Sequence, residues 1–219
     1  MTDAPRARRP LKSREKAWAI GLANALVRAG VAPNAISLAS AVFALLAAVC
    51  LFATREAEPA MRVVLLLLAA AGIQLRLLCN LLDGMVAVEG GRGSKSGEVY
   101  NDVPDRFADV VIFVGAGYAL PWPAWGAALG WGAALLAVLT AYVRLFGGSV
   151  GLKQDFGGPM AKQHRMAMMT AACLVAIVEE FVSAGYGRVL AFALVVVVIG
   201  SAATIVRRLR RIIAGLESR

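Results

Sequence analysis

Long apolar runs separated by short polar segments make up most of this chain of 219 residues. A helix needs about 20 predominantly apolar residues to cross the hydrocarbon core of a bilayer. Six runs can serve as the cores of such helices, at 35–53, 60–88, 105–120, 122–146, 166–184 and 189–206. The pattern predicts an all-α integral membrane protein with six transmembrane helices. Composition agrees, because 59% of the residues are hydrophobic, against roughly 45–50% in soluble domains.

The first 30 residues have a different pattern. Between 11 and 29, apolar residues recur at helical spacing among Lys and Arg, and they are Trp18, Leu22, Ala25, Leu26 and Ala29. This arrangement is typical of a helix lying in the membrane interface, and a solvent-exposed helix is the alternative. We therefore divide the chain into a cytoplasmic N-terminal segment with a juxtamembrane amphipathic helix, residues 1–30, and a six-helix transmembrane domain, residues 31–219.

The positions of Lys and Arg predict the orientation, because short basic loops stay on the cytoplasmic side. With six helices, the basic segments 6–28, 92–95, 153–165 and 207–211 all fall on one side. Both termini are therefore expected in the cytoplasm, with the protein in a bacterial-type inner membrane. The net charge of +9 is explained by cations that flank helices and meet anionic lipid headgroups, so we expect no nucleic-acid partner.

Polar residues interrupt the second apolar run near its cytoplasmic end. Asn80 and Asp83 are three residues apart and share a helix face, and Arg76 lies one turn before them. A carboxylate at membrane depth costs roughly 2.5–3.5 kcal/mol on insertion scales unless it is paired. This position therefore predicts a functional site.

The next helix carries an acidic stripe at intervals of three and four residues, formed by Glu98, Asn101, Asp102, Asp105 and Asp109. Like charges at this spacing repel each other, so we expect a cation among them. Oxygen ligands without nearby His or Cys favour Mg²⁺, Mn²⁺ or Ca²⁺ over Zn²⁺. The connecting loop, 89–97, is rich in glycine and carries Arg92 and Lys95, as expected of a loop that admits a phosphate-bearing ligand.

The stretch 80–105 resembles the signature of the CDP-alcohol phosphatidyltransferase family, D-x2-D-G-x2-A-R-x8-G-x3-D-x3-D. Five of the eight signature positions match in identity and all eight match in spacing. The identical residues are Asp83, Gly84, Ala87, Gly97 and Asp105. The resemblance implies six membrane helices and an active site at the cytoplasmic face.

Three signature positions depart from the family pattern. Asn80 and Asn101 stand where the family has aspartate, and Val88 stands where it has arginine. An amide oxygen still suits a hard cation, but each replacement removes one negative charge and should weaken metal binding or reduce the number of ions. Glu98 or Asp102 would be the accessory acids that restore charge.

The resemblance implies a phospholipid-synthesis enzyme that moves a phosphatidyl group from CDP-diacylglycerol to an alcohol and releases CMP. It also implies Mg²⁺ or Mn²⁺ as cofactor, membrane lipids as partners and a homodimer. The implied metal ligands are Asn80, Asp83, Asn101 and Asp105, the implied general base is Asp105, and the implied nucleotide-binding residues are Gly84, Ala87 and Gly97. Arg92 or Lys95 would replace the phosphate contact that Val88 lacks.

Two basic residues after the fourth apolar run offer a second contact for anions. Lys162 and Arg165 are three residues apart at the start of a helix and would clamp a phosphorylated acceptor or a lipid phosphate. Cytoplasmic placement of basic loops explains the same pair equally well.

Two other interpretations stay open from the sequence. One is a catalytically degenerate homologue, and the other is a transporter or ion pathway, in which intramembrane acids are also expected. Transporters generally have internal repeats and a site at the bilayer midplane, whereas this chain has a polar cluster at one membrane face. The sequence does not distinguish among glycerol 3-phosphate, serine, inositol phosphate and other acceptors.

Overall fold

A computed structural model of the chain describes residues 16–91, 96–182 and 185–218. This described part forms seven helices and contains no strand. The helices are α1 Ala17–Arg28, α2 Pro33–Ala53, α3 Pro59–Glu89, α4 Gly97–Tyr118, α5 Pro123–Ser149, α6 Lys162–Val182 and α7 Arg188–Glu217. The all-helical prediction is therefore confirmed, and each predicted apolar run lies largely within one helix.

Four helices are long and apolar enough to cross a membrane, namely α2, α3, α5 and α7. The helices α4 and α6 have 22 and 21 residues, but the charged side chains they carry lower their hydropathy. Length and composition thus give a membrane-type helical protein, while the count of six crossing helices stays a prediction.

The helix α4 begins at Gly97, before the apolar run at 105–120 and in agreement with the acidic stripe that places Glu98 on this helix. Its first half exposes apolar side chains, those of Val99, Val103 and Phe107 among them, and buries Asp105. The polar stripe faces other helices and the apolar stripe faces outwards, which is the reverse of a helix in a water-soluble protein. A search for unbroken apolar runs misses a helical segment that has one polar and one apolar face.

Helices α2 to α7 form a closed ring. Each packs against two neighbours in the order α2, α3, α6, α7, α5, α4 and back to α2, and α4 also contacts α7. Apolar side chains such as Leu66, Ile73 and Phe113 fill the core. The short helix α1 packs on α3 through Ala19 and Ala23, while Trp18 and Leu22 stay exposed. Its placement in a membrane interface stays a prediction.

Glycines allow α4 and α5 to approach closely. A Cβ added at Gly117 would lie 2.5 Å from the carbonyl oxygen of Gly126 and 2.7 Å from the Cα of Gly130. Gly115 is equally tight against α2, because its Cβ would lie 2.6 Å from the oxygen of Ala48. Small residues govern helix packing in lipid because they let backbones meet.

We expect Gly117→Val to destabilise the protein by about 1–3 kcal/mol or more, because the added side chain must push two backbones apart. The matched control is Gly132→Ala, since a Cβ at Gly132 meets only Val198, at 3.9 Å. Thermal unfolding of the detergent-solubilised protein measures both effects. Equal losses in the two variants would contradict the close contact of α4 with α5.

Polar contacts fasten the ring at the end where α3 begins. Arg62 pairs with Glu180 at 2.9 Å and lies over the ring of Tyr186, 4.3 Å from its centroid. The carboxylate of Glu179 accepts hydrogen bonds from the backbone N–H groups of Gly187, Arg188 and Val189, at 3.2, 2.9 and 3.4 Å. It thus satisfies the free N–H groups at the start of α7, which would otherwise lack partners.

Candidate functional site

A cleft of about 780 Å³ opens at the other end of the ring, where α3 ends and α4 begins. It is lined by four residues of the family signature, Asn80, Gly84, Asn101 and Asp105. Five cationic residues line it as well, namely Arg106, Arg144, Lys162, Arg165 and Arg208. The cleft thus joins residues from the middle of the chain to residues near its C-terminal end, which the sequence alone does not place together.

Asp105 is the most heavily contacted residue of the cleft. Its Oδ1 accepts a hydrogen bond of 2.7 Å from the Nδ2 of Asn80, and Arg76 lies 3.4 Å from the same atom. Its Oδ2 accepts a hydrogen bond from the Nζ of Lys162, and Arg106 lies 3.7 Å away. Three cations therefore surround a carboxylate that is 5% exposed.

Asp83 lies on the same face of α3 as Asn80 and is buried. Its Oδ2 accepts a hydrogen bond of 2.7 Å from the hydroxyl of Ser37 on α2. Its Oδ1 is buried and has no hydrogen-bond partner within the described ranges. An unsatisfied carboxylate oxygen is costly in an apolar interior, so a ligand that binds this atom would remove that cost.

A buried ion network lies behind Asp105. Asp109 pairs through Oδ1 with Arg76 at 2.8 Å and through Oδ2 with Arg165 at 2.7 Å. The Nη1 of Arg165 also donates to the hydroxyl of Thr140 and to the carbonyl of Met160, both at 2.9 Å. The side chains of Arg76, Asp109 and Arg165 are at most 1% exposed. Buried ion pairs therefore link α3, α4 and α6.

We expect Asp109→Asn to destabilise the protein by about 3–5 kcal/mol, because it leaves two buried guanidinium groups without their shared carboxylate. Asp155→Asn is the matched control. Asp155 pairs at 2.7 Å with Arg211, whose side chain is 53% exposed, and such pairs contribute at most about 1 kcal/mol. Denaturation of the solubilised protein compares the two variants, and a loss below 1 kcal/mol for Asp109→Asn would contradict the network.

The loop between α5 and α6 forms one wall of the cleft. Phe156 lies under the guanidinium of Arg144, 5.0 Å from ring centroid to Cζ, and Arg144 pairs with Asp102 at 2.8 Å. Burial alone would raise the pKa of Asp155, but hydrogen bonds from Arg211 and the backbone N–H of Gly157 outweigh it and lower that pKa. The charged Asp155 thereby ties the loop to α7.

The predicted site residues are only partly brought together. The cleft takes in Asn80, Gly84, Asn101, Asp102, Asp105, Lys162 and Arg165. Asp83 is buried against Ser37 and is not part of its described lining, and neither are the half-buried Ala87 and Gly97. Arg92, Lys95 and the side chain of Glu98 lie outside the described residues.

The residues at the site suit a hard divalent cation only in part. In ranges 16–91, 96–182 and 185–218, no three His, Cys, Asp or Glu side chains form a group able to hold a metal ion. Asp83 offers one buried oxygen without a partner. Asn80 and Asn101 add amide oxygens, which Mg²⁺, Mn²⁺ and Ca²⁺ accept. These three side chains stay predicted metal ligands, whereas both oxygens of Asp105 already have partners.

Several residues of the site were not identified from the sequence. Arg106, Arg144 and Arg208 line the cleft, and the partners of Asp109 from the acidic stripe are Arg76 and Arg165. A cation and an acid within apolar runs, such as Arg76 and Asp109, are the signal that predicts an internal pair. No sequence pattern indicates which cation of α5 or α7 turns towards α4.

Comparison with known proteins finds relatives that share one name. Phosphatidylinositol phosphate synthase of Mycobacteroides abscessus is 29% identical over 163 residues, which are 70% of this chain and 66% of that protein. The protein of the same name from Streptomyces avermitilis is 27% identical over 192 residues, or 84% of this chain and 72% of the relative. The chain thus spans about two thirds of the length of these relatives. No protein-family model matches the chain.

Solved structures show the same relationship at the level of the fold. Phosphatidylinositol phosphate synthase of Mycobacterium tuberculosis with CDP-DAG bound has a TM-score of 0.69 and 22% identity, over 89% of this chain and 92% of that one. Its complex with manganese and citrate has a TM-score of 0.70 and 22% identity, over 89% and 88%. The chain therefore has the fold of this synthase, and its sequence is similar to proteins named phosphatidylinositol phosphate synthase, which are CDP-alcohol phosphatidyltransferases.

Proposed function

We propose that this protein transfers the phosphatidyl group of CDP-diacylglycerol to an alcohol acceptor and releases CMP. The observation that carries the proposal is the cleft, which joins four residues of the family signature to a set of cations at one end of an apolar bundle. A lipid with a pyrophosphate headgroup needs both surroundings, because its chains require an apolar neighbour and its phosphates require positive charge.

The proposed reaction displaces CMP. The acceptor oxygen attacks the phosphorus that bears the diacylglycerol, a new P–O bond forms, and the P–O bond to CMP breaks. Asp105 takes the proton of the acceptor hydroxyl as general base. Asn80 orients the carboxylate of Asp105 through its 2.7 Å hydrogen bond. Asp83, Asn80 and Asn101 would hold Mg²⁺ or Mn²⁺, which supplies positive charge for the pyrophosphate.

Nucleotide and acceptor would occupy different parts of the cleft. Gly84 lines it on α3, so we propose that the nucleotide lies there, with Ala87 and Gly97 beyond it. Lys162 and Arg144 line the side towards α5 and α6 and would bind the phosphate of the acceptor. Arg165 would support them from behind, because Asp109, Thr140 and Met160 hold its guanidinium.

We propose a phosphorylated inositol as the acceptor. The name of the relatives supports this class, and the five cationic side chains that line the cleft suit a phosphorylated ligand. Arg92 and Lys95 stay candidates for a further phosphate contact.

We also propose that the cleft and both termini lie in the cytoplasm and that residues 31–219 form the catalytic domain. The basic end of α7, residues 207–211, lies at the same end of the ring as the cleft, which supports a single cytoplasmic face. A homodimer is proposed from the family resemblance alone.

Release of CMP tests the function. Purified protein in detergent is incubated with CDP-diacylglycerol, Mn²⁺ or Mg²⁺ and one acceptor at a time, and CMP is quantified by chromatography. We expect CMP with inositol phosphate and little with serine, glycerol 3-phosphate or water. Release with another acceptor would correct the acceptor, and no release with any of them would overturn the transferase.

A further inference from the structure

A second, smaller cavity lies beside the cleft, between α5, α7 and the loop that joins α5 to α6. Its volume is about 170 Å³, against about 780 Å³ for the cleft. Its described lining contains one acid, Asp155, and four cations, namely Arg144, Lys153, Arg208 and Arg211. Arg144 and Arg208 also line the cleft, so these two side chains are shared by both cavities.

Positive charge exceeds negative charge around this smaller cavity. Asp155 pairs with Arg211 at 2.7 Å. Asp102, outside the cavity, lies 2.8 Å from Arg144 but is shared with Arg106, at 3.4 Å. The four lining cations thus have two acids as ion-pair partners, and one of these acids also serves a cation that does not line the cavity. An anion in the cavity would balance this excess.

The loop between α5 and α6 holds the guanidinium groups in place. Phe156 lies under Arg144, and the carbonyl oxygen of Gly157 accepts a hydrogen bond of 3.1 Å from the Nε of Arg208. The Nε of Arg144 is buried and has no hydrogen-bond partner in the described part of the chain. Side chains that are ordered before a ligand arrives lose less conformational freedom on binding. Positioned guanidinium groups suit the several oxygens of a phosphate group.

The cavity also lies next to surfaces that face lipid. Phe146 and Ile213 are exposed, and they directly follow or precede the lining residues Gly147 and Ile212 in the sequence. Both belong to helices that are long and apolar enough to cross a membrane. Basic residues at the ends of such helices attract anionic lipid headgroups. A phospholipid would therefore meet apolar and cationic side chains at the same end of α5 and α7.

We infer that this smaller cavity binds the phosphate group of an anionic ligand, at a site separate from the cleft. The exposed apolar neighbours favour the headgroup of an anionic phospholipid as the source of that phosphate, and a free phosphate compound is the other source. The inference does not depend on the proposed function, because Lys153 and Arg211 line the smaller cavity and are not in the described lining of the cleft.

Native mass spectrometry of the purified full chain in neutral detergent tests the inference by counting bound lipids. The parent should bind phosphatidylglycerol about tenfold more tightly than phosphatidylcholine. Lys153→Gln and Arg211→Gln should each weaken binding of phosphatidylglycerol about fivefold, because each removes one cation from the site. Lys153→Arg keeps the cation and should bind as the parent does.

Arg210→Gln is the matched control. Arg210 is an exposed residue of α7 and is absent from the described lining of both cavities. Its removal changes the net charge as much as Arg211→Gln does, so binding of phosphatidylglycerol should change by less than about twofold. Size-exclusion chromatography shows that each variant is folded before lipid is added.

Calorimetry of the delipidated protein with inorganic phosphate distinguishes the two sources. Binding of inorganic phosphate that is lost in Lys153→Gln, without a preference for phosphatidylglycerol, would support the site and assign it to a soluble phosphate compound. A preference for phosphatidylglycerol that persists in excess inorganic phosphate would support the site and assign it to a lipid headgroup.

Two outcomes would overturn the inference. Equal losses in Lys153→Gln, Arg211→Gln and Arg210→Gln would show that lipid is attracted by the whole basic end of α7 and not by the cavity. Binding of phosphatidylglycerol and inorganic phosphate that is the same in Lys153→Gln as in the parent would place any bound phosphate in the cleft.

Discussion

Asp83→Asn is expected to abolish CMP release, with a loss of roughly 10³-fold or more, which corresponds to about 4 kcal/mol of lost transition-state stabilisation. Asp83 has the one buried carboxylate oxygen without a partner in the described structure. Asparagine has the same shape and keeps an oxygen to accept the hydrogen bond from Ser37, so the contact of α2 with α3 should persist. The variant loses the charge that binds the ion.

The measurement compares CMP release and Mn²⁺ binding in parent and variant, after size-exclusion chromatography has shown that both are folded. Glu56→Gln serves as the matched control, since Glu56 is exposed in the loop between α2 and α3 at the opposite end of the ring. Parental turnover in Asp83→Asn would remove the metal assignment.

Asp105→Asn is expected to slow CMP release by roughly 10²–10⁴-fold while binding of the CDP-lipid stays nearly intact. Asparagine keeps the shape of the side chain and an oxygen for the hydrogen bond from Asn80, but it has no basicity. Asp105 lies in the cleft lining, and an acceptor hydroxyl has to displace Lys162 from its Oδ2 or Asn80 from its Oδ1 to reach the carboxylate.

Binding of the CDP-lipid and single-turnover rates separate the two possible roles of Asp105. A base affects the rate, whereas a ligand affects binding of the lipid and the metal together. Loss of both kinds of binding without a separate effect on rate would place Asp105 among the metal ligands. The proton acceptor would then have to be Glu98, Asp102 or water.

The sequence predicted the helices because membrane-crossing segments have a simple apolar signal. The spacing of a family signature also led us to expect Asn80, Asp83 and Asp105 in one site, and the structure joins Asn80 and Asp105 in the cleft while Asp83 is buried against Ser37. The apolar run alone misses the start of α4, which the acidic stripe indicates, because this helix turns apolar side chains outwards and Asp105 and Asp109 inwards. The unbroken run that a sequence search recognises is absent there.

The partners of the acids depend on tertiary packing. The pairing of Arg144 with Asp102 and of Lys162 with Asp105 spans 42 and 57 positions of the chain. The sequence offers several other Lys and Arg residues in the same segments as partners for these two acids. Only the closed ring of helices, which brings α5 and α6 to the same cleft as α4, selects among them.

The ion pairs of Asp109 have a consequence for biosynthesis of the protein in a membrane. Arg76 precedes Asp109 by 33 positions, and Arg165 follows it by 56. At about 5–20 residues per second, the ribosome needs roughly 3–11 s to reach Arg165 after Asp109. During that interval Arg76 is the one of the two ion-pair partners of Asp109 that has already been made. We therefore expect α3 and α4 to enter the bilayer together as a hairpin in which Arg76 pairs with Asp109. Arg165 of α6 would pair with Asp109 after α6 has been synthesised.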